Sequence, residues 1–364
     1  MKDASAHSTP GARQVVAAYA LVRDLMRPSP ARYWGELLLC GSAAWLAFLV
    51  AVVLPLGGAG MWFALLAAAL LFYRASIFIH ELTHQHRKEL PGFHLAWNLF
   101  IGVPLLLPSV LYEGVHKVHH AKATYGTSND PEYLPFASRP ALALAFLVAG
   151  LLAPLYLFIR FFIDAPISWA APRFRGFVER RASAFCMNPL YSRTMTAEER
   201  RRLFHWEIVL LAVWTPFLAA TIYGWLPWKW LPLWYVMYAA LATINHAREL
   251  VAHRYRSDGQ PLDHAGQLRD TLDTPGACWT VLWAPLGLRF HALHHLFPRL
   301  PYHNLAEAHR RLIRWLPAEA MYRRSRNPSF LFGLRRLFHG AGITSAVRTV
   351  PARSASSAPP APPA

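Results

Sequence analysis

The sequence predicts an all-α integral membrane protein: two transmembrane hairpins, about four spans in all, with re-entrant or interfacial helices and a cytoplasmic helical cap that holds clustered histidines. Three observations predict it. Only 16% of the 364 residues are charged and 54% are hydrophobic, where soluble domains carry roughly 25% charged residues. Several apolar runs approach the ~20 residues that a bilayer core requires. The 18 histidines are bunched near the ends of those runs rather than spread along the chain.

The first 34 residues (1–34) lack the short apolar core and small-residue cleavage site of a secretory signal and read as a cytoplasmic N-terminal segment. Glu36 to Leu54 and Met61 to Ile79 are apolar runs joined by the uncharged PLGGAG, which makes the first hairpin. Basic residues flank it and none stands at its turn, so both ends are expected in the cytoplasm. The runs Phe93 to Tyr112 and Ala141 to Ile163 are interrupted, the one by Gly102, Pro104 and Pro108, the other by Gly150 and Pro154. Neither reads as a clean span. Parity agrees: if the histidine clusters meet on one side, the chain between them crosses an even number of times, and these two runs should be re-entrant or interfacial. Ile208 to Tyr223 and Leu231 to Ile244, joined by the tryptophan-rich GWLPWKW, make the second hairpin. Residues 289 to 339 are Arg-rich with amphipathic spacing and suit a cap against the membrane. One domain thus occupies 35–340, and the Pro/Ala/Ser-rich 341–364 is expected to be a disordered tail.

The 37 Lys and Arg against 20 Asp and Glu leave a formal charge of +17. On a soluble chain this would suit nucleic acid. Beside apolar spans it is expected to face anionic headgroups, so the bilayer, and no nucleic acid, is the expected partner. Cys40, Cys186 and Cys278 are too few and too scattered for a disulfide framework or a CxxC metal site.

The histidines carry the chemistry. His80 and His84, in HELTH, lie four apart and share a helical face. His116, His119 and His120, in HKVHH, and His291, His294 and His295, in HALHH, stand at i, i+3 and i+4, again one face. One ion needs three or four ligands, so eight imidazoles suggest two metals. Nitrogen ligation suits Zn, Cu, Fe or Ni, and a pair of irons is the choice that activates dioxygen. A ninth ligand is expected from the end of the sixth run, where His246, Glu249 and His253 share a face. His253 is favoured because it lies deeper in the cap, His246 is the alternative, and Glu249 or Asn245 would orient a ligand or a water. His86, His94, His205 and His264 read as interfacial or hydrogen-bonded residues, and His7, His309 and His339 as exposed ones.

In this order, with an apolar hairpin between the last two clusters, HELTH, HKVHH and HALHH make the chain resemble the membrane fatty acid desaturase superfamily over roughly residues 35–320. The resemblance implies a non-haem di-iron centre held mainly by histidine, dioxygen as co-substrate, a lipid or fatty acyl substrate and a separate electron donor such as a ferredoxin, a rubredoxin or a cytochrome. It also implies a further histidine after the last hairpin, which adds weight to His253. The basic cytoplasmic surface would suit an acidic donor. Desaturation to an alkene is the expected outcome on family frequency; hydroxylation, or carotenoid ketolation or hydroxylation, is the alternative that the motifs leave open. In a bacterium the site would face the cytoplasm from the inner membrane. A remote competitor is the zinc protease pattern HExxH, which HELTH also satisfies with Glu81 as general base. That reading explains one cluster and leaves six clustered histidines idle.

Overall fold

The computed structural model describes residues 10–347, with side chains from 14 to 338. His7, the side chain of His339 and residues 348–364 of the expected tail lie outside the described residues. Among the described residues there is no strand, and the helices run α1 (Pro10–Val22), α2 (Pro30–Val53), α3 (Ala59–Ser76), α4 (Phe78–His84), α5 (Phe93–Trp97), α6 (Val110–His120), α7 (Pro140–Ile159), α8 (Ala165–Ala170), α9 (Pro172–Arg181), α10 (Ala197–Ile222), α11 (Trp230–Glu249), α12 (His264–Asp270), α13 (Thr280–Trp283), α14 (His291–Leu296), α15 (Leu305–Trp315) and α16 (Phe330–Val347). The last helix crosses residue 341, where the tail was expected to begin.

Four helices are long and apolar enough to cross a membrane: Pro30–Val53, Ala59–His84, Pro140–Ala170 and Ala197–Ile222. The first two form the expected hairpin, and α2 begins earlier than the apolar run because Pro30 supplies a helix start. The second expected hairpin would pair α10 with α11, yet α11 packs chiefly on α7 and α3, meets α10 mainly through Trp214 against Trp230 and Trp234, and is not among the four. Its last turn carries Asn245, His246, Arg248 and Glu249, so it trades apolarity for polar groups at the site. Large apolar side chains, among them Leu39, Phe63, Leu151 and Phe217, stay exposed along the long helices and mark a lipid-facing surface. At the far ends of the hairpins, Lys229 Nζ donates to the carbonyl of Leu54, 2.7 Å away, and closes α2.

The fourth candidate corrects the reading of residues 141–163 as broken. Gly150 and Pro154 sit inside one continuous helix of 31 residues that absorbs a π turn at Arg160–Asp164. Gly150 is a crossing point: a Cβ there would stand 3.0 Å from Thr243 Cα on α11. The helix would reach ~46 Å if straight. Near its start, Phe146 stacks on His246 at 4.0 Å and packs on Phe136. Near its end, Arg160 donates to Ala182 O (2.7 Å), Ser183 Oγ (2.9 Å) and Glu207 (2.6 Å). Ser183 is followed by Phe185, whose N–H donates to Leu111 O on the HKVHH helix, 2.8 Å away. Length and composition suffice for a span, and these contacts tie the helix to α11, to Glu207 of α10 and, through residues 182–185, to α6.

The run 93–112 forms no long helix. It folds as α5, a π turn at Asn98–Gly102 and a turn in which Leu106 has φ 52°. Its exposed carbonyls are matched by indoles: Trp214 Nε1 donates to Val103 O (2.9 Å) and Trp234 Nε1 to Pro104 O (3.0 Å). Irregular backbone among spans is tolerated where protein supplies such partners. The N-terminal α1 packs on α15 of the cap, tied by Arg311 to Asp24 at 2.8 Å.

Candidate metal centre

The clusters HELTH, HKVHH and HALHH occupy α4, α6 and α14, whose helical faces turn toward one another. His253 follows α11 on irregular chain, where isolated bridges pair His253 with Thr271 and Asp273 with Phe290, and so hold it beside α14. Asp273 sets the start of α14: its Oδ1 accepts from the N–H groups of Ala292 (2.8 Å) and Leu293 (3.2 Å). A buried carboxylate there suits the positive end of the helix.

The imidazoles gather in two quartets, buried except for half-buried His84. His80, His84, His116 and His294 form one, and His119, His253, His291 and His295 the other, with the ligating atoms of each within 4.8 Å of one another. His120 stands between them. Its Nε2 is 3.0 Å from Nε2 of His116 and 3.0 Å from Nε2 of His294, and its ring stacks on His295 at 4.2 Å. All nine histidines singled out for metal are therefore in one assembly. Of the outer candidates, His246 is turned away, its Nδ1 at 2.6 Å from Phe146 O. Asn245 accepts from Arg248, and Glu249 pairs with Arg248.

The donor set fits two transition-metal ions. Two opposed nitrogen ligands of one ion lie about 4 Å apart, close to the spread within each quartet. Nε2 of His80, His84 and His119 and both ring nitrogens of His295 are buried with no hydrogen-bond partner, an arrangement that costs free energy unless a cation takes the lone pairs. Burial first, then repulsion among the rings, holds His116, His120, His291, His294 and His295 well below the usual histidine range. They are neutral at pH 7, the form that binds metal. His119 departs from this pattern. Burial opposes its charge, but the Asp130 carboxylate outweighs it and raises the group to about 9; a cation at Nε2 would replace that proton.

Sequence reasoning missed the carboxylates that aim these rings. His116 Nδ1 is 2.9 Å from Glu132 and also 2.9 Å from Tyr112 Oη. His119 Nδ1 is 2.9 Å from Asp130, and His253 Nδ1 lies 2.7 Å from Tyr125 Oη and 3.5 Å from Asp270. Each partner fixes Nδ1 and leaves Nε2 for metal, the usual orienting role of outer carboxylates. The signal available was the DPE at 130–132, in the loop after HKVHH, and the RD at 269–270, at the end of α12 after His253. His309, expected to be exposed, instead meets Tyr322 Oη at 2.6 Å. Glu81 accepts from the hydroxyl of Tyr33 and the N–H of Tyr302, so its carboxylate is engaged with α2 and the cap. That geometry removes the support for a protease.

A narrow cleft leads to the first quartet at His80. Its apolar arm is formed by Tyr73, Ile77, Leu107 and Leu241, and Tyr112, Glu132, Arg248 and Glu249 add polar groups.

Residues 56–327 match the fatty acid desaturase family. A ceramide hydroxylase of Caulobacter vibrioides (strain NA1000 / CB15N) is 40% identical over 326 residues, which cover 88% of this chain and 92% of the relative.

Proposed function

The chain belongs to the fatty acid desaturase family, and from that premise we propose that it is a membrane-bound, dioxygen-dependent lipid hydroxylase with a histidine-held di-iron centre. Hydroxylation displaces the expected desaturation because the similar protein is named for hydroxylation of a ceramide at 40% identity across most of both chains. That observation carries the choice, and it makes an N-acyl lipid of the ceramide kind the proposed substrate.

In this reading His80, His84, His116, His120 and His294 hold one iron and His119, His253, His291 and His295 the other. Bound iron supplies the activation of dioxygen toward an unactivated C–H bond. The protein's part is positional. Glu132 and Asp130 hold His116 and His119 by Nδ1, and Tyr125, itself bonded to Asp270, holds His253. The cleft guides an apolar chain past His80. The balance is one C–H bond, one dioxygen, two electrons and two protons in, and one alcohol and one water out. Electrons come from a separate donor protein, and the histidines face the cytoplasm, as the basic flanks of the first hairpin suggest.

The test is lipid mass spectrometry of cells that express the chain, with the His119→Ala variant beside it. Lipids with one added oxygen, absent in the variant, are expected. Lipids that have lost two hydrogens and gained no oxygen would return the reading to desaturation.

A further inference from the structure

The family and the relative leave the recognition of the polar part of the lipid unassigned. On α11, Tyr238, Leu241, Ala242, Asn245, Arg248 and Glu249 all line the cleft, at the spacing of one helical face. Arg248 is 6% exposed, and its Nη1 has no hydrogen-bond partner, whereas Nε and Nη2 are used by Asn245 and Glu249. A buried, unpaired guanidinium N–H is costly to leave unmade. Glu249 stands beside it as an acceptor. The same cleft reaches His80 and also Glu132, which is bonded to His116.

Resting on the lipid-hydroxylase reading above, we propose that Arg248, Glu249 and Asn245 form the polar-group subsite and that it takes an uncharged amide with a neighbouring hydroxyl. The lipid carbonyl accepts from Arg248 Nη1, and its N–H or O–H donates to Glu249. The charge balance selects against anions: the Arg248 cation already faces Glu249. Phosphate recognition would call for surplus guanidinium or ammonium groups. Acyl-CoA and phospholipids are therefore poor occupants. Because the subsite shares one cleft with His80, the oxidised carbon lies near the amide and not at mid-chain.

The experiment is binding to the metal-loaded protein in detergent, read by calorimetry or intrinsic fluorescence, with three probes of equal chain length: an N-acyl amino alcohol, an acyl-CoA and a phosphatidic acid. The N-acyl amino alcohol is expected to bind about 10-fold or more tightly than either anion, and Arg248→Leu is expected to lose about 10-fold for that probe alone. Glu249→Gln, which keeps size and shape, is expected to weaken it less. Equal or tighter binding of acyl-CoA overturns the proposal, and this wild-type comparison holds even where Arg248→Leu does not fold. Unchanged affinity in a folded, metal-loaded Arg248→Leu overturns it too. Arg248-dependent binding with no oxygenated lipid would break the hydroxylase reading and spare the subsite; oxygenated lipid with Arg248-independent binding would do the reverse.

Discussion

Asp130→Asn tests how the second quartet is held. Asp130 is fully buried, and its carboxylate faces three donors: His119 Nδ1 at 2.9 and 3.1 Å from its two oxygens, Gly126 N at 2.8 Å and Glu132 N at 2.9 Å. An asparagine keeps the shape and one acceptor for the loop N–H groups, so the fold survives. What it loses is the charge-assisted bond that fixes the His119 ring with Nε2 toward the metal. Substitution of such an orienting carboxylate costs about 10–100-fold in metal affinity, or roughly 1.4–2.8 kcal/mol. The assay is iron retained against a graded chelator, with the helical signal by circular dichroism as the control for folding. Asp258→Asn, in an exposed turn away from the histidines, should leave retention unchanged. If Asp130→Asn holds iron as tightly as wild type, the orienting role assigned to the loop carboxylates is wrong.

Three further outcomes follow from the fold. Gly150→Val should lower thermal stability by about 1–3 kcal/mol through overpacking against the α11 backbone, whereas Gly35→Ala, where nothing lies within 4 Å of a new Cβ, should raise it by about 0.5–1 kcal/mol; equal melting shifts for the two would refute the crossing. Glu113 is held well below its usual range: burial pushes it up, but His94, Arg202 and Ser109 outweigh that. A depressed carboxyl stabilises the fold above its unfolded value near 4.5 and loses that contribution as pH falls through the folded value, so Glu113→Gln should cost about 2 kcal/mol at pH 7 and narrow the gap to wild type in acid melting curves. Reporter fusions after residues 134 and 174 should both report cytoplasm, and an outside signal after 174 would mean that the helix Pro140–Ala170 crosses.

The hairpin of α2 and α3 was legible because burial in lipid leaves an uninterrupted apolar run, and the histidines were legible because helical geometry imposes i, i+3 and i+4 spacing on converging ligands. Residues 141–163 were not. A glycine and a proline look like breaks in one dimension, yet Gly150 serves a helix crossing, and Pro154 is tolerated in a helix held by its neighbours. Asp130, Glu132 and Asp270 escaped notice because their partners are remote in sequence or set by loop geometry, so no periodicity points at them. His246 and His253 share a helical face in projection, but α11 ends at Glu249, and the irregular chain that follows carries His253 to the metals while His246 stays against Phe146.

The most direct test of the account is the metal content of the purified protein, measured beside His119→Ala. About two irons per chain, falling sharply in the variant, is the predicted result for two nitrogen-ligated ions. A single zinc that survives the substitution would contradict it.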